Sequence, residues 1–202
     1  MRGARSATVR RVNATLHLVR HAEASGSDDR DPGLTPLGRE QARALGRRLA
    51  AQPVAAVWHG PRRRAAETAA VLAAEIAGVD PAVHPLLDDR TPVPSAARGS
   101  DYPEHLGPWF DGVPADERDP DGAALSTAFA EVTQEAHERA AEGALVCVTH
   151  AFVVGWFVRE VLSGPAAQWL RMLPSNAGLT VVGWRSDGSG VLHAFNDTGH
   201  LG

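Results

Sequence analysis

The stretch that indicates the fold is "LHLVRHAEAS", Leu16–Ser25. In it, an apolar run of strand length ends directly at Arg20 and His21. Ligands of open parallel α/β sheets bind outside the carboxyl ends of the strands, so a buried strand that ends in a cation and an imidazole presents binding groups there. The rest of the sequence should then supply partner side chains at the ends of neighbouring strands.

Two further apolar runs have the same length and similar polar boundaries. They are Val54–Trp58 and Ala144–Val148, and the first run is Thr15–Val19. Helical patterns lie between them; one of these begins with Thr35 as the N-cap and Pro36 at the first helical position. Alternating strands and helices predict an α/β fold, a single three-layer α/β/α domain with a mostly parallel central sheet. The pattern also predicts a terminal hairpin from two runs, 179–184 and 191–195.

Composition fits one globular domain and excludes several classes of protein. The chain has 202 residues, of which 44% are hydrophobic and 22% are charged, enough to bury an ordinary core. We expect a flexible N-terminal arm over residues 1–13 and the domain over 14–202. No window has the roughly 18 apolar residues of a membrane span, so we expect no membrane association. A net charge of −4 argues against nucleic acid as a partner.

The only cysteine, Cys147, excludes an internal disulfide and favours a reducing, cytoplasmic location. Residues 88–121 differ from the rest of the sequence because they are rich in Pro, Gly and acidic residues. A long segment without helix or strand is uncommon in a compact domain, so it is either disordered or a lid over a site. Three aromatic residues, Tyr102, Trp109 and Phe110, favour a lid.

Basic and imidazole side chains follow all three predicted strands. The first strand ends in Arg20 and His21, the second in His59 followed by Arg62–Arg64, and the third is followed by His150. Adjacent strands lie about 4.8 Å apart, so these side chains should share one ligand if the strands are neighbours. Arginines, histidines and helix N-termini together suit a tetrahedral anion, above all phosphate.

Several motifs, in order, resemble the histidine phosphatase superfamily, which has the phosphoglycerate-mutase-like fold. "LVRHAEA" is similar to its first motif, and "HGPRRRAAETA" is similar to its second, in which Arg64 takes the phosphate-binding position. "VCVTHAFVVGWFVREVL" resembles the strand and helix that supply the second histidine, His150. "LTPLGREQA", "QWLRMLPSNAGLT" and "NDTGHL" extend the resemblance, which is greatest to the Ser/Thr protein phosphatases of this fold.

The resemblance implies a phosphatase that hydrolyses phosphomonoesters through a phosphohistidine on His21, without a cofactor. Arg20, Arg64 and a protonated His150 would bind the phosphate oxygens. The substrate would be a phosphorylated small molecule or a phosphoprotein. The family's general acid corresponds to Asp89, which stands where the similar phosphatases have Glu; the adjacent Asp88 is the alternative.

Other interpretations remain open at this point. His59 either borders the phosphate or closes a turn, and either Arg62 or Arg63 could also touch substrate. A mutase-type phosphotransferase is the alternative enzyme, although residues 88–121 offer only three cations for a second anionic group: Arg90, Arg98 and Arg118. A non-catalytic phosphate-binding module of the same fold is the alternative outside enzymes, and a homodimer is also open.

Metal and dinucleotide sites are disfavoured. His17 and His21 have i, i+4 spacing, but in a strand that spacing gives no compact pair of ligands. The first strand is not followed by the G-x-G-x-x-G of dinucleotide-binding proteins. We therefore expect no metal and no nucleotide cofactor.

Overall fold

The computed structural model of the chain describes residues 12–26 and 31–202. Most of the predicted arm, residues 1–11, lies outside the described residues. Its last two positions belong to the first strand, which begins at Val12 and not after residue 13. Val12 and Ala14 pair with Arg185 and Trp184 of a neighbouring strand, so the sheet extends further toward the N-terminus than the apolar run suggests.

The elements alternate as the sequence predicts. The strands are β1 (Val12–Arg20), β2 (Val54–His59), β3 (Pro81–Val83), β4 (Thr91–Val93), β5 (Arg118–Pro120), β6 (Ala144–Thr149), β7 (Leu179–Arg185) and β8 (Gly190–Asp197). The helices are α1 (Pro36–Leu49), α2 (Arg63–Ala73), α3 (Gly107–Asp111), α4 (Ala123–Glu138) and α5 (Ala151–Val161). The described residues also include the 3₁₀ helices Pro85–Leu87, Gly99–Asp101, Glu104–Leu106 and Ala166–Arg171.

The main sheet has six strands in the order β3-β2-β6-β1-β7-β8. Its first four strands are mutually parallel, and β7 runs antiparallel to both β1 and β8. The mostly parallel sheet and the terminal hairpin are therefore confirmed. Because β6 lies between β1 and β2 and the three strands are parallel, their carboxyl ends are adjacent on the same side of the sheet.

Helices cover both faces of this sheet and complete the three layers. On one face, Leu16, Leu18 and Cys147 pack in a cluster with residues of α4 and α5. On the other face, Val19 and Val148 pack with residues of α1 and α2. Strands buried on both faces carry apolar side chains in succession, which explains the unbroken apolar runs.

The start of α1 is as predicted. The Thr35 side chain caps the helix by accepting a hydrogen bond from the Gly38 backbone N–H. Leu37, in the first turn of the helix, is 55% exposed. At about 100° per residue it lies about 140° around the helix from the buried Ala42, so it points outward.

Residues 88–121 are structured, so the interpretation of a disordered segment is wrong. Within them, β4 and β5 form a separate two-stranded parallel sheet. The buried Asp119 carboxylate accepts hydrogen bonds from the backbone N–H groups of Ala124 and Leu125, which ties the segment to the start of α4. Phe110 is buried in the core.

Within the described residues, no helix is long and apolar enough to cross a membrane.

Candidate active site

The ends of β1, β2 and β6 meet as the strand order requires. Arg20 is in register with Thr149, and the His21 backbone N–H donates to the Thr149 carbonyl at 2.8 Å. On the other side of β6, the Gly60 N–H donates to the Val148 carbonyl at 3.0 Å. The side chains that follow the three strands therefore surround one place at the edge of the sheet.

The two ring nitrogens of His21 have different roles, because only Nδ1 is hydrogen-bonded to the backbone of the described residues. Its Nδ1 lies 2.8 Å from the Ala22 carbonyl oxygen, and because a carbonyl only accepts, Nδ1 must carry the proton. Nε2 therefore keeps its lone pair in the neutral ring. The pKa of His21 is lowered from 6.5 to about 4, mainly by burial; the Ala22 contact opposes this shift, and the cations Arg64 and Arg20 add to it. The ring is neutral near pH 7 and can act as a nucleophile.

The backbone of His21 and Ala22 is held by two side chains, those of Asn176 and Thr68, whose roles were not predicted from the sequence. The Asn176 side-chain amide donates to the His21 carbonyl at 3.0 Å. The Ala22 N–H donates to the Thr68 hydroxyl at 3.0 Å, and that hydroxyl donates to the Arg64 carbonyl at 2.7 Å. Thr68 thus connects the loop of the nucleophile to α2. In the sequence, both residues lie within motifs that resemble the family: Asn176 in "QWLRMLPSNAGLT" and Thr68 in "HGPRRRAAETA".

His150 is the N-cap residue of α5 and is 1% exposed. Its ring centroid lies 5.2 Å from that of His21. Burial, followed by the neighbouring His21 and Arg64, lowers the pKa of His150 well below its ordinary value. His150 is therefore neutral in the free protein near pH 7, and the protonated His150 expected to bind phosphate would gain its proton together with the anion.

The Asp89 carboxylate stands between an arginine and this histidine. Its Oδ2 accepts a hydrogen bond from Nη2 of Arg64 at 2.7 Å and lies 3.2 Å from Nδ1 of His150. The contact with His150 lacks the alignment of a hydrogen bond, and neither ring nitrogen of His150 has a hydrogen-bond partner among the described residues.

Asp88 is placed differently from Asp89. Its Oδ1 accepts from Nε of Arg62 at 3.0 Å and from the Asp89 backbone N–H at 2.8 Å. These bonds hold the loop and leave Asp89 directed at His150. The geometry therefore favours Asp89 over Asp88 as the acid.

A close backbone contact brings the shorter Asp side chain within reach of the site. The Thr149 hydroxyl donates to the Leu87 carbonyl at 2.8 Å. A Cβ on Gly60 would stand 2.2 Å from that same Leu87 oxygen, so only glycine fits there. The loop that carries Asp89 consequently packs directly onto the ends of β2 and β6.

The three consecutive arginines have different positions. Arg64 is 13% exposed and contacts Asp89, with Asp31 3.5 Å from its Nη1. Arg63 is 58% exposed and pairs with Glu67 on the outside of α2. Arg62 pairs with Asp88 and, at 3.5 Å, with Asp116. Of the three, only Arg64 is brought to the cluster formed by His150 and Asp89.

Arg20 completes the cationic side of the site. Its Nη1 donates to the Pro174 carbonyl at 2.8 Å, and its buried Nε has no hydrogen-bond partner among the described residues. Burial lowers the pKa of Arg20, and Asp89 and Arg64 act on it in opposite directions. Arg20, Arg64 and His150 thus form a compact set of donors for an anion beside the Nε2 lone pair of His21.

His59 repeats the ring geometry of His21 at the neighbouring strand end. Its Nδ1 bonds to the Gly60 carbonyl at 2.8 Å, which favours the interpretation that His59 closes the turn after β2. His17 lies in β1, and no group of three or more His, Cys, Asp or Glu side chains in the described part of the chain is arranged to hold a metal ion.

Comparison with protein families decides the classification. The model of the histidine phosphatase superfamily (branch 1) matches residues 16–198. The chain belongs to this superfamily. The match covers every residue of the cluster, from Arg20 to His150, and confirms the family expected from the motifs.

Curated relatives are similar over nearly the whole chain. The mouse and human serine/threonine-protein phosphatase PGAM5, mitochondrial, are each 29% identical over 198 residues, which is 95% of this chain. The chain spans 66% and 65% of the length of these two relatives. The Caenorhabditis elegans protein of the same name is 31% identical over 195 residues, 92% of this chain and 63% of that relative.

Solved structures confirm the fold. The mycobacterial glucosyl-3-phosphoglycerate phosphatase in complex with inorganic phosphate superimposes with a TM-score of 0.71 at 20% identity, covering 94% of this chain and 100% of that chain. A phosphoserine phosphatase mutant from Entamoeba histolytica, in complex with phosphoserine, gives 0.67 at 19% identity, covering 93% and 98%. The predicted phosphoglycerate-mutase-like α/β architecture is therefore confirmed.

Proposed function

We propose that this chain hydrolyses phosphomonoesters through a phosphohistidine intermediate on His21. The observation that carries the proposal is the Nδ1 bond of His21 to the Ala22 carbonyl, which leaves the Nε2 lone pair free beside Arg20, Arg64 and His150. A neutral imidazole nitrogen next to two guanidinium groups suits attack on a phosphate dianion, because the cations offset the charge that repels a nucleophile.

In the first half-reaction, Nε2 of His21 attacks phosphorus and the ester P–O bond breaks. The electron pair of that bond goes to the leaving oxygen, which takes a proton from the Asp89 carboxylic acid. Arg20 and Arg64 donate hydrogen bonds to the phosphoryl oxygens as their charge develops. His150 is neutral in the free protein. A phosphate dianion beside it raises its pKa and so favours uptake of a proton.

In the second half-reaction, water replaces the alcohol. The Asp89 carboxylate, having given up its proton, accepts one from water as the water oxygen attacks the phosphohistidine. The P–N bond breaks, its electron pair returns to Nε2 of His21, and inorganic phosphate leaves. Asp89 is then again protonated and His21 neutral, so the cycle closes without any other reactant.

Hydrolysis is favoured over mutase-type transfer by the arrangement of the lid cations. Arg118 donates through Nη1 to the carbonyls of Phe110 and Val113, and Arg98 pairs with Asp101. Arg90 donates to the Asp116 carbonyl. A mutase must bind a second anionic group of its substrate, and these three guanidinium groups are already engaged within the segment.

The substrate class proposed is a phosphorylated small molecule or a phosphoprotein. The names of the similar proteins support both: the curated relatives are serine/threonine-protein phosphatases, and the structural neighbours include a phosphoserine phosphatase and a glucosyl-3-phosphoglycerate phosphatase. A cytoplasmic location is part of the same proposal; its support is the single cysteine of the chain, which is buried.

The test is to trap the intermediate on the purified full chain. After brief mixing with p-nitrophenyl phosphate and quenching, acid-labile, base-stable phosphate should map to His21 by peptide mass spectrometry. His21→Ala should abolish both turnover and labelling, whereas the exposed His105→Ala should retain both. Substantial turnover in the His21→Ala protein, or label on another residue, would contradict the proposal.

A further inference from the structure

A pocket of about 460 Å³ lies between the 88–121 segment and the start of α5. Two of the residues that line it are close in sequence to the proposed catalytic residues: Thr91 follows Asp89 by two residues, and Phe152 follows His150 by two residues. Because the proposed acid protonates the leaving oxygen, a space beside the loop of the acid is suited to the alcohol part of the substrate.

The pocket wall is mainly apolar. Trp109, Val113, Pro114 and Phe152 line it, and Trp109 is 40% exposed. The Trp109 ring is held edge-on to Phe152, with centroids 5.8 Å apart. An exposed tryptophan fixed in an apolar concavity suits an apolar or aromatic group, which would cover it from water.

The only charged residue among those found to line the pocket is Glu117. Its backbone carbonyl accepts a hydrogen bond from the Thr91 N–H at 2.8 Å, which fixes it beside the loop of Asp89. Burial raises the pKa of Glu117; the negative charges of Asp89 and Asp116 also raise it, and the cations Arg62 and Arg64 act against this rise. An additional carboxylate entering this place would therefore meet negative charge in partly desolvated surroundings, where like charges repel more strongly than in water.

We propose that this pocket binds the alcohol part of the phosphomonoester and selects an apolar or aromatic group that carries no negative charge. The proposal rests on the function proposed above and narrows its substrate class. It separates this chain's substrates from phosphorylated hydroxy acids, in which a carboxylate lies close to the ester oxygen. That carboxylate would face Glu117, the residues that line the pocket include no cation, and the nearby Arg62 is already paired with Asp88.

The charge preference is tested with two substrates of similar leaving group, benzyl phosphate and 4-carboxybenzyl phosphate. The wild-type chain should show a kcat/KM for benzyl phosphate at least about tenfold higher, the size expected for two partly desolvated charges. Glu117→Gln should reduce that ratio several-fold. Asp111→Asn, which removes an exposed carboxylate of the same segment outside the pocket, should leave the ratio unchanged.

The shape of the pocket is tested by filling it. Gly112 lines the pocket, and a Cβ there meets its nearest atom, the Trp109 carbonyl oxygen, at an ordinary 3.5 Å. Gly112→Leu should lower kcat/KM for benzyl phosphate at least about tenfold and leave methyl phosphate, which is too small to reach the pocket, within about twofold. Gly99→Leu, at a glycine of the same segment with nothing within 4 Å of its Cβ, is the matched control and should change neither.

The outcomes separate this inference from the function on which it rests. Equal wild-type kcat/KM for benzyl and 4-carboxybenzyl phosphate would overturn the pocket proposal while His21 labelling still supported the hydrolase. An equal loss on methyl and benzyl phosphate in Gly112→Leu would also overturn it. If Gly112→Leu does not fold, the Glu117→Gln ratio still decides. Absence of turnover and of His21 labelling with all three phosphates would overturn both proposals.

Discussion

The Arg64 guanidinium donates a hydrogen bond to the Asp89 carboxylate at 2.7 Å, so the proposed phosphate ligand and the proposed acid are in direct contact. The same carboxylate oxygen lies 3.2 Å from Nδ1 of His150. A phosphate that binds Arg64 must either share the guanidinium with Asp89 or displace the Asp89 carboxylate from it. Charge neutralisation and proton transfer are therefore expected to occur within one hydrogen-bonded cluster.

Removing the acid should slow hydrolysis most where the leaving group is poor. Asp89→Asn keeps the size of the side chain but cannot donate a carboxylic proton to a basic alkoxide. We expect a loss of roughly 10²-fold to 10⁴-fold in kcat/KM for a phosphoserine peptide or an alkyl phosphate. The burst of p-nitrophenol from p-nitrophenyl phosphate, measured by stopped flow, should persist because that leaving group needs no proton.

Asp88→Asn is the matched control for this prediction. An Asn oxygen can still accept from Nε of Arg62 and from the Asp89 N–H, so the loop should remain in place and activity should change little on either substrate. A large loss confined to Asp88→Asn would move the acid back by one residue. Equal losses on both substrates in Asp89→Asn would assign Asp89 a structural role.

Arg64 should be the indispensable residue of the three consecutive arginines. Arg64→Ala removes a guanidinium that is 13% exposed and adjacent to Asp89, and we expect a loss of about 3 kcal/mol in transition-state stabilisation, roughly 10²-fold in kcat/KM. Arg63→Ala, on the exposed side of α2, should cost less than about threefold. The comparison uses p-nitrophenyl phosphate, and a greater loss in Arg63→Ala would contradict the assignment.

Sequence alone predicted the sheet because its parallel strands are buried on both faces. Unbroken apolar runs in β1, β2 and β6 follow directly from that burial. Because β1, β6 and β2 are neighbours in the sheet, the polar residues at their ends could also be predicted to lie together. The antiparallel hairpin was predictable from "SDGSG", which supplies turn residues between two strand-like runs.

Other features depended on contacts between distant parts of the chain. The neutral state of His150 results from burial of its ring and from the neighbouring His21 and Arg64, which are distant in sequence, so no local pattern reports it. The pairing of β4 with β5 joins residues 27 positions apart, from Thr91 to Arg118, with short runs that have little periodicity of their own. Thr68 and Asn176 support the His21 loop from α2 and from the segment before β7, and each looks like an ordinary polar residue in the sequence.

A methyl group at Gly60 should displace the acid without touching any catalytic side chain. In Gly60→Ala the new Cβ would stand 2.2 Å from the Leu87 carbonyl oxygen, so the loop that carries Asp89 must move. We expect kcat for an alkyl phosphate to fall at least about tenfold, since catalysis is sensitive to displacements of this size. Gly99→Ala, whose Cβ has nothing within 4 Å, should retain wild-type kcat. Unchanged alkyl phosphate turnover in Gly60→Ala would show that the close packing of this loop is not needed.

The buried histidines should make the fold less stable in acid. Burial lowers the pKa of His17 from 6.5 to about 4, with a smaller effect from Arg48, and His17 is only 3% exposed. Above pH 6.5 this residue is neutral in both the folded and the unfolded chain. As the pH falls from 6.5 toward 4, the unfolded chain takes up the proton first, so stability is lost over that window.

The size of this effect can be isolated with His17→Gln, which does not titrate. At about 1.36 kcal/mol per pH unit, the shift from 6.5 to about 4 corresponds to about 3 kcal/mol of the free energy of unfolding lost by pH 4. Urea unfolding of the wild type between about pH 7.5 and pH 4 should therefore show a steeper decline than in His17→Gln, whatever the absolute stability of the variant. The exposed His105→Gln should decline in parallel with the wild type. If His17→Gln and wild type declined in parallel instead, His17 would have to be protonated in the folded chain, and its burial would not control the acid sensitivity of the fold.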